Sequence, residues 1–582
     1  MSNAFLGIET SALGRRWIGP DAELDRIAEA LAQASDLPLP LCQVLARRGV
    51  DKSGIASFLA PALRDLMPDP SRMKDMDKAA ARFHRAVTAR ENIAIFADYD
   101  VDGAASAAQL LIWLREMGIE ATLYIPDRID EGYGPNDAAM RQLARAHSLI
   151  VCVDCGTLSH GPIAAAKPAD VIVLDHHQGG ETLPPALAVV NPNRQDETGD
   201  LGYLCAAGVV FMLLVAVNRN LREAGQSGPD LMSYLDLVAL ATVADVAPLI
   251  DLNRAFVTQG LKVMGQRRRV GLTALADIAR LDSAPSAYHL GFLLGPRVNA
   301  GGRIGKADLG ARLLSTNDAD LAGALAERLD QLNTERREIE EQVRLKAMEQ
   351  AEARGFEAPL VWAAGDGWHP GVVGIVAARL KEAANRPAVV IGFDGDEGKG
   401  SGRSVSGVDL GSAIARLTAE GLLGRGGGHR MAAGLSLERA QLEPAMARLG
   451  ELLAAQGAGR LGPGDLRVDG LLTVRAANIE LIQLLEQAGP FGAGAAAPRF
   501  VLPSVRVAFA KRAGDNHLRL TFRDGAGDKI DAIAFRAFDS ALGPLLEQHD
   551  GAIFHVAGRL EIDTWGGRKK PKLRLEDAVR AG

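Results

Sequence analysis

The sequence predicts an α/β protein: a parallel-sheet domain joined by one long helix to a smaller α/β domain, with a small β-barrel at the C-terminal end. Three observations predict it. Between residues 92 and 174, short apolar runs alternate with helical patterns, the signature of a parallel sheet with helices on its faces. Over 318–355, Leu321, Leu325, Leu329, Leu332, Ile339 and Val343 recur among many charges without a proline, which is the spacing of one amphipathic helix. From about 461 the texture changes to short runs such as HLRLTF, IDAIAF and IFHVAGRL set apart by Gly and Asp, as in a barrel or sandwich.

Taken in order, residues 1–75 read as a mainly helical segment with Pro-rich breaks, supporting rather than chemical. Residues 76–317 form the parallel-sheet domain. Its strands are NIAIF (92–96), TLYI (122–125), LIVCV (149–153) and VIVL (171–174), with helices over 104–117, near 136–147 and near 160–167. Strands covered on both faces are apolar throughout, as these are. The helix over 318–355 fixes the separation of its neighbours. Residues 356–460 are a Gly-rich α/β domain that closes with GRGGGHRMAAG, and 461–582 are the barrel, with AGAAAP (493–498) as a linker.

Composition bounds the function. The 582 residues are 47% hydrophobic and 24% charged, an ordinary globular balance. No apolar run reaches the ~18 residues of a spanning helix, and the N-terminus lacks a secretory pattern. The expectation is a cytoplasmic protein without membrane contact. Four cysteines are too few to staple such a chain. Cys152 and Cys155 form a CxxC without a second Cys or His pair, so neither zinc nor redox chemistry is favoured. The net charge of −7 still allows nucleic acid, which needs only a local basic groove.

The chemistry concentrates at strand ends. Asp98, Asp154 and Asp175 each follow an apolar run, at the carboxyl edge where open α/β sheets bind ligands. Asp98, Asp100 and Asp102 lie within five residues. They repel one another unless a divalent cation is bound. Gly103 allows the turn, and the following helix directs its N-terminus toward a phosphate. Asp175 is followed by His176 and His177, and adjacent histidines there suit one metal ligand and one phosphate donor. Asp245, inside LVALATVADVAPL, must be paired, protonated or on a metal. Mixed Asp and His ligands suit manganese, magnesium or zinc, and two ions roughly 3.5–4 Å apart suit in-line attack of water on a phosphate.

A second set suits phosphate binding. Asn299 to Arg303, Gly402-Arg403-Ser404 and Arg425 to Arg430 combine glycine with donor-rich side chains, so that backbone N–H groups and Arg forks reach an anion. The tail carries Lys511, Arg512, Arg519 and the run Arg568 to Lys572, a basic surface fit for a single strand.

In their order, DYDVDG, VDCG, DHH and VAD resemble the motifs of the DHH phosphoesterase superfamily. GRGGGHRMAAG resembles the signature of its companion DHHA1 domain. With PRVNAGGRIGKAD and the tail after PFGAG, the layout is similar to that of the RecJ exonucleases. The resemblance implies 5′-to-3′ hydrolysis of single-stranded DNA with two Mn²⁺ or Mg²⁺ ions, in repair and recombination. It implies Asp100, Asp102, Asp154, His176 and Asp245 as metal ligands, and Asp98 as a ligand or an acceptor behind one. Asp175 would orient the histidines and His177 would touch the scissile phosphate. It places Asn299, Arg303, Arg403, Ser404, His429 and Arg430 at the substrate, an OB-fold on the strand, and a single-strand-binding protein and a helicase as partners. Ala105 stands where the family often has Thr, which predicts a weaker cap on the helix after Gly103. The alternative is a phosphoesterase of the same superfamily acting on short oligonucleotides, cyclic dinucleotides or pyrophosphate.

Overall fold

The computed structural model describes residues 4–127, 131–459, 464–564 and 567–581. They fall into two units, residues 62–460 with 492–494, and residues 1–61 with 461–491 and 495–582.

The larger unit opens on a sheet of five parallel strands: β1 (Ile93–Ala97), β2 (Thr122–Tyr124), β3 (Leu149–Val153), β4 (Asp170–Leu174) and β5 (Ala188–Val190). Their order is β2-β1-β3-β4-β5. β1 and β3 are buried from end to end, which explains their unbroken apolar sequences. The order reverses between β1 and β3. That is the switch point beyond which doubly wound sheets leave a crevice for ligands.

Helix α1 (Val101–Glu116) follows β1, and α2 (Ala206–Glu223) and α3 (Leu235–Ala244) pack near it. The expected start of α1 was Ala104; it begins three residues earlier because Asp100 caps it, accepting from the Asp102 and Gly103 N–H groups. The cap therefore never depended on a hydroxyl at position 105, and Ala105 is simply buried. A further helix, α4 (Gly295–Ile304), leads to α5 (Ala319–Arg354), a single helix of 36 residues. At 1.5 Å per residue it runs about 54 Å. Asp318 caps its start and Gly355, at φ +83°, ends it. Its first half buries Leu325, Leu329 and Leu332, and its second half buries Val343, Ala347 and Ala351. The latter pack with Val361, Val372 and Val376 of the next domain.

That domain contains α6 (Pro370–Ala384) and strands β6 (Val361–Asp366), β7 (Ala388–Asp394), β8 (Glu397–Arg403), β9 (Arg425–His429) and β10 (Ala432–Glu438). Their order is β9-β10-β8-β7-β6, and only β6 and β7 are parallel.

In the smaller unit, β11 (Phe500–Ala513), β12 (His517–Arg523), β13 (Lys529–Ala534), β14 (Ile553–Asp563) and β15 (Lys570–Arg580) close into a barrel. The circuit runs β11-β12-β13-β15-β14 and back to β11. The N-terminal residues complete it. Helices Ala22–Ala34 and Leu39–Arg47 place Leu31, Leu41, Val44 and Leu45 in one core with Phe500, Phe522 and Phe554. Trp17 and Ile18 pair in parallel with Leu466 and Arg467. The fully buried Asp577 carboxylate accepts from Ser11 Oγ at 2.6 Å and Trp17 Nε1 at 3.0 Å.

Asp577→Ala strands those two donors. At ~1–3 kcal/mol for each buried donor left unpaired, this unit is expected to lose about 2–6 kcal/mol in chemical denaturation, with no change in metal affinity. A wild-type unfolding midpoint would contradict this account of the closure. Among the described residues, all four cysteines are free and buried, and no helix is long and apolar enough to cross a membrane.

Candidate metal centre

The parallel ladder carries three carboxylates to one rim. The N–H of Asp98 donates to Val153 O at 3.3 Å, that of Asp154 to Leu174 O at 2.9 Å, and that of Asp175 to Val190 O at 3.1 Å. Each aspartate is thus the first residue past its strand, held in register by the next strand over. Asp154 takes a left-handed backbone (φ +60°), a conformation uncommon for a side chain other than Gly, Asn or Asp.

Behind Asp98 the chain curls tightly. A Cβ on Gly103 would lie 2.3 Å from Asp98 O. The glycine there serves close backbone approach, not a positive φ. Val101 N–H donates to Asn299 Oδ1 at 3.0 Å, which ties the acidic loop to α4. Asp102 lies at the start of α2, where its oxygens accept from the Ala206 and Ala207 N–H groups at 2.7 and 2.8 Å. Asp245 ends α3.

His176 joins these pieces. Its Nε2 is 3.3 Å from Asp154 Oδ1, 3.6 Å from Asp102 Oδ2 and 3.8 Å from Asp245 Oδ2. Three groups place their donor atoms within 4.8 Å of one another: Asp98, Asp100 and Asp154; Asp102, His176 and Asp245; and Asp154, His176 and His177. His177 faces Asp175, with Nδ1 2.8 Å from Asp175 Oδ1.

Electrostatics divides the cluster in two. Burial, then repulsion from Asp102, Asp100, Asp98 and Asp245, holds the Asp154 carboxyl well above its ordinary range. Burial and the charges of Asp102 and Asp100 push Asp245 up to about 9. Burial also raises Asp102, against the pull of His176 and with Asp100 adding to the rise. For Asp175, burial is outweighed by hydrogen bonds from His177 and Thr157 and by the His177 charge, so its carboxyl is lowered. Burial disfavours the charged His177 ring, yet the Asp175 hydrogen bond and the surrounding carboxylates raise it to about 9. Asp175 and His177 therefore neutralise each other, while Asp102, Asp154 and Asp245 demand positive charge from outside. Asp154 Oδ1 is buried and accepts no hydrogen bond in spite of His176 nearby. Hard oxygens with one imidazole fit Mn²⁺ or Mg²⁺.

The second domain of the same unit forms the opposite wall. The His429 ring stacks over His177 with centroids 6.4 Å apart and planes at 22°. Arg303 NH1 donates to Gly371 O at 3.0 Å. A Cβ on Gly371 would meet Arg303 O at 2.4 Å, so α4 and the N-terminus of α6 touch through backbone. Arg403 NH1 donates to Ser401 Oγ and Gly402 O, and Arg430 is exposed. Ser404 is not brought to this wall: it is buried, and its hydroxyl donates to Val408 O at 2.9 Å. Gly302 serves packing rather than an anion, since a Cβ there would meet the Tyr99 ring at 2.6 Å.

Three supporting residues escaped the sequence reading. Asn191 Nδ2 donates to His177 O at 2.8 Å and Asn193 Nδ2 to His176 O at 2.6 Å; together they pin the histidine backbone. The Tyr133 hydroxyl lies 3.3 Å from His177 Nε2. The two asparagines follow β5, a three-residue strand that the sequence reading did not pick out, and neither they nor Tyr133 carried a local signal.

Known proteins resemble this chain along nearly its whole length. Residues 92–242 match the N-terminal domain of the DHH family, 357–455 the DHHA1 domain and 468–577 the RecJ OB domain. The single-stranded-DNA-specific exonuclease RecJ of Escherichia coli is 35% identical over 577 residues, covering 95% of this chain and 98% of that one. The protein of the same name from Bacillus subtilis is 33% identical over 97% of this chain and 71% of its own length. The crystal structure of RecJ with Mn²⁺ from Thermus thermophilus superposes with a TM-score of 0.81 at 30% identity, covering 97% of this chain and 80% of that one. A Mg²⁺ complex of that protein gives 0.75 at 28% identity.

Proposed function

The chain belongs to the RecJ family of exonucleases, and from that premise we propose that it degrades single-stranded DNA from the 5′ end by metal-dependent hydrolysis of phosphodiester bonds. The observation that carries this reading is the convergence of Asp98, Asp100, Asp102, Asp154, His176 and Asp245 on the sheet's switch point, in a chain similar to such enzymes along nearly its whole length. The direction of attack rests on the motif resemblance. The match to the RecJ OB domain favours a polymer over the small substrates of other DHH phosphoesterases.

Asp100, Asp102, Asp154, His176 and Asp245 would hold two Mn²⁺ or Mg²⁺ ions, with Asp98 completing or backing the set. When bound, such ions supply Lewis acidity toward the phosphate and a nucleophilic water at neutral pH. The residues of the chain orient and exclude. Asp175 fixes the His177 ring through Nδ1, which directs Nε2, with the Tyr133 hydroxyl 3.3 Å away, to donate a hydrogen bond to a phosphate oxygen. Arg303, Arg403, His429 and Arg430 line the approach and hold the phosphates on either side of the cut. Asn299 keeps the acidic loop in place. No side chain is needed as nucleophile. On the barrel, exposed Lys511, Arg519, Phe509 and Phe535, with Arg574 stacked 5.2 Å over Phe535, suit the backbone and bases of one strand. Arg512 and Lys572 are engaged by Glu547 and Asp563 and contribute less. A role in repair and recombination in the cytoplasm, beside a single-strand-binding protein and a helicase, belongs to the same proposal.

The test is a long single-stranded DNA labelled at either end. With Mn²⁺ the expected products are mononucleotides released from the 5′ end, and a chelator stops the reaction. Hydrolysis confined to dinucleotides or pyrophosphate would move the chain to a small-substrate branch.

A further inference from the structure

Two aromatic rings stand in water where nothing in the reading so far requires them. Phe292 is 73% and Tyr288 62% exposed. They lie four residues apart, and their rings stack with centroids at 5.1 Å and planes at 24°. His289 meets Tyr288 edge-on at 5.8 Å, and at these exposures much of both side chains stays open to solvent. Large apolar groups left in solvent as a contiguous patch mark contact surfaces.

Their position connects them to the metal centre. Residues Leu290–Leu294 form a π-helical turn, a form that is rare and gathers at functional sites. This turn rests on the end of α3: a Cβ on Gly291 would be 3.4 Å from Val243 Cγ1, and one on Gly295 3.1 Å from Ala244 Cβ. Asp245 is the next residue. After it comes Val246, 70% exposed and held at φ +61°, where a β-branched residue is strained. Downstream the turn runs into α4, which carries Asn299 and Arg303. From Phe292 to Arg303 is roughly 16 Å along a helix, the reach of a few nucleotides. The charged neighbour Arg297 is occupied by Asp330, so this ledge offers ring faces rather than charge.

We propose that Tyr288 and Phe292 form a stacking platform for unpaired bases of the DNA strand approaching the metal centre, and that this platform contributes to the preference for single strands. The inference rests on the nuclease reading above. A ring face stacks on any base, so the contact tolerates sequence. In a duplex the base faces are already stacked on one another and are closed to it.

The experiment compares the wild type with Tyr288→Ala/Phe292→Ala and with Phe292→Trp on a dinucleotide and on a 30-nucleotide single strand. Both positions are exposed, so the fold is expected to survive, and Mn²⁺ binding reports on it. The double variant should raise KM for the long strand about ten-fold, with kcat changed less than about two-fold and the dinucleotide reaction unaltered. Phe292→Trp, which keeps a ring at that position, should leave KM at the wild-type value. A 2-aminopurine placed a few nucleotides from the cut should lose fluorescence on binding the wild type in Ca²⁺, and not on binding the double variant. An unchanged KM or unchanged quenching in the double variant overturns the platform while leaving the nuclease standing. If the wild type itself does not cut the long strand, the nuclease reading fails first, and the platform with it. Equal losses on both substrates would show a structural role and also overturn the platform.

Discussion

Asp154→Asn is expected to lower kcat at least ~1,000-fold with Mn²⁺ present while raising the melting temperature of the metal-free protein. Both halves follow from one carboxylate. Asp154 is 2% exposed, lies beside four other aspartates and is pushed well above its ordinary pKa by burial and repulsion. A neutral amide removes that penalty, and Asn tolerates the left-handed backbone at φ +60° better than Ala does. The same change removes the charge of a buried carboxylate that belongs to two of the candidate ligand groups. Activity on single-stranded DNA and a melting curve in chelator test both. Wild-type activity would sink the assignment of this residue to the metal centre, and a lower metal-free melting temperature would show that Asp154 is structurally required.

The second large effect is a pH dependence that the metal should erase. In the folded, metal-free protein Asp245 sits at about 9 and Asp102 and Asp154 are raised, against about 3.9 in an unfolded chain. A carboxyl raised by folding contributes stability that is fully present below its unfolded value and is lost as pH climbs through its folded value. His177, raised to about 9, acts in the same direction. Asp175, lowered on folding, contributes stability that is already complete above pH 5 and constant from there. The metal-free melting temperature of the larger unit should therefore fall between pH 5.5 and pH 8. Mn²⁺ supplies the missing positive charge, so its stabilising shift should grow over that interval by several degrees. An equal shift at both ends, or one that survives in Asp154→Asn, would separate metal binding from these carboxylates.

Much of the centre was legible because its chemistry coincides with local pattern. Asp98, Asp154 and Asp175 announce themselves as acids directly after buried strands, and the parallel ladder does the rest. The 36-residue helix shows in its leucines and in the absence of proline. Other features are not local. Nothing in the spelling of Asn191 or Asn193 says that their amides reach back to the histidine carbonyls, because asparagine after a strand is chemically ordinary. Asp102 reads as a bare ligand, yet both its oxygens already hold the start of a helix more than a hundred residues away. Ser404 shares its Gly-Arg-Ser setting with phosphate-binding turns, and only burial shows its hydroxyl spent on Val408. Residues 1–75 read as one supporting segment because hydrophobic patterning gives a helix its apolar face but not the partner of that face, whereas the structure groups 1–61 with the barrel.

That partnership has a consequence in time. The helices over 22–47 bury their apolar faces against strands that begin near residue 500, and Trp17 waits for Asp577. During synthesis at ~5–20 residues per second, the roughly 400 residues between 61 and 461 take on the order of 20–80 s to emerge. For that interval the nascent N-terminus carries uncovered leucines while the catalytic unit behind it is free to fold. The ribosome thus delivers the metal centre before the part expected to grip the strand, and the chain's earliest residues are among the last to find their place.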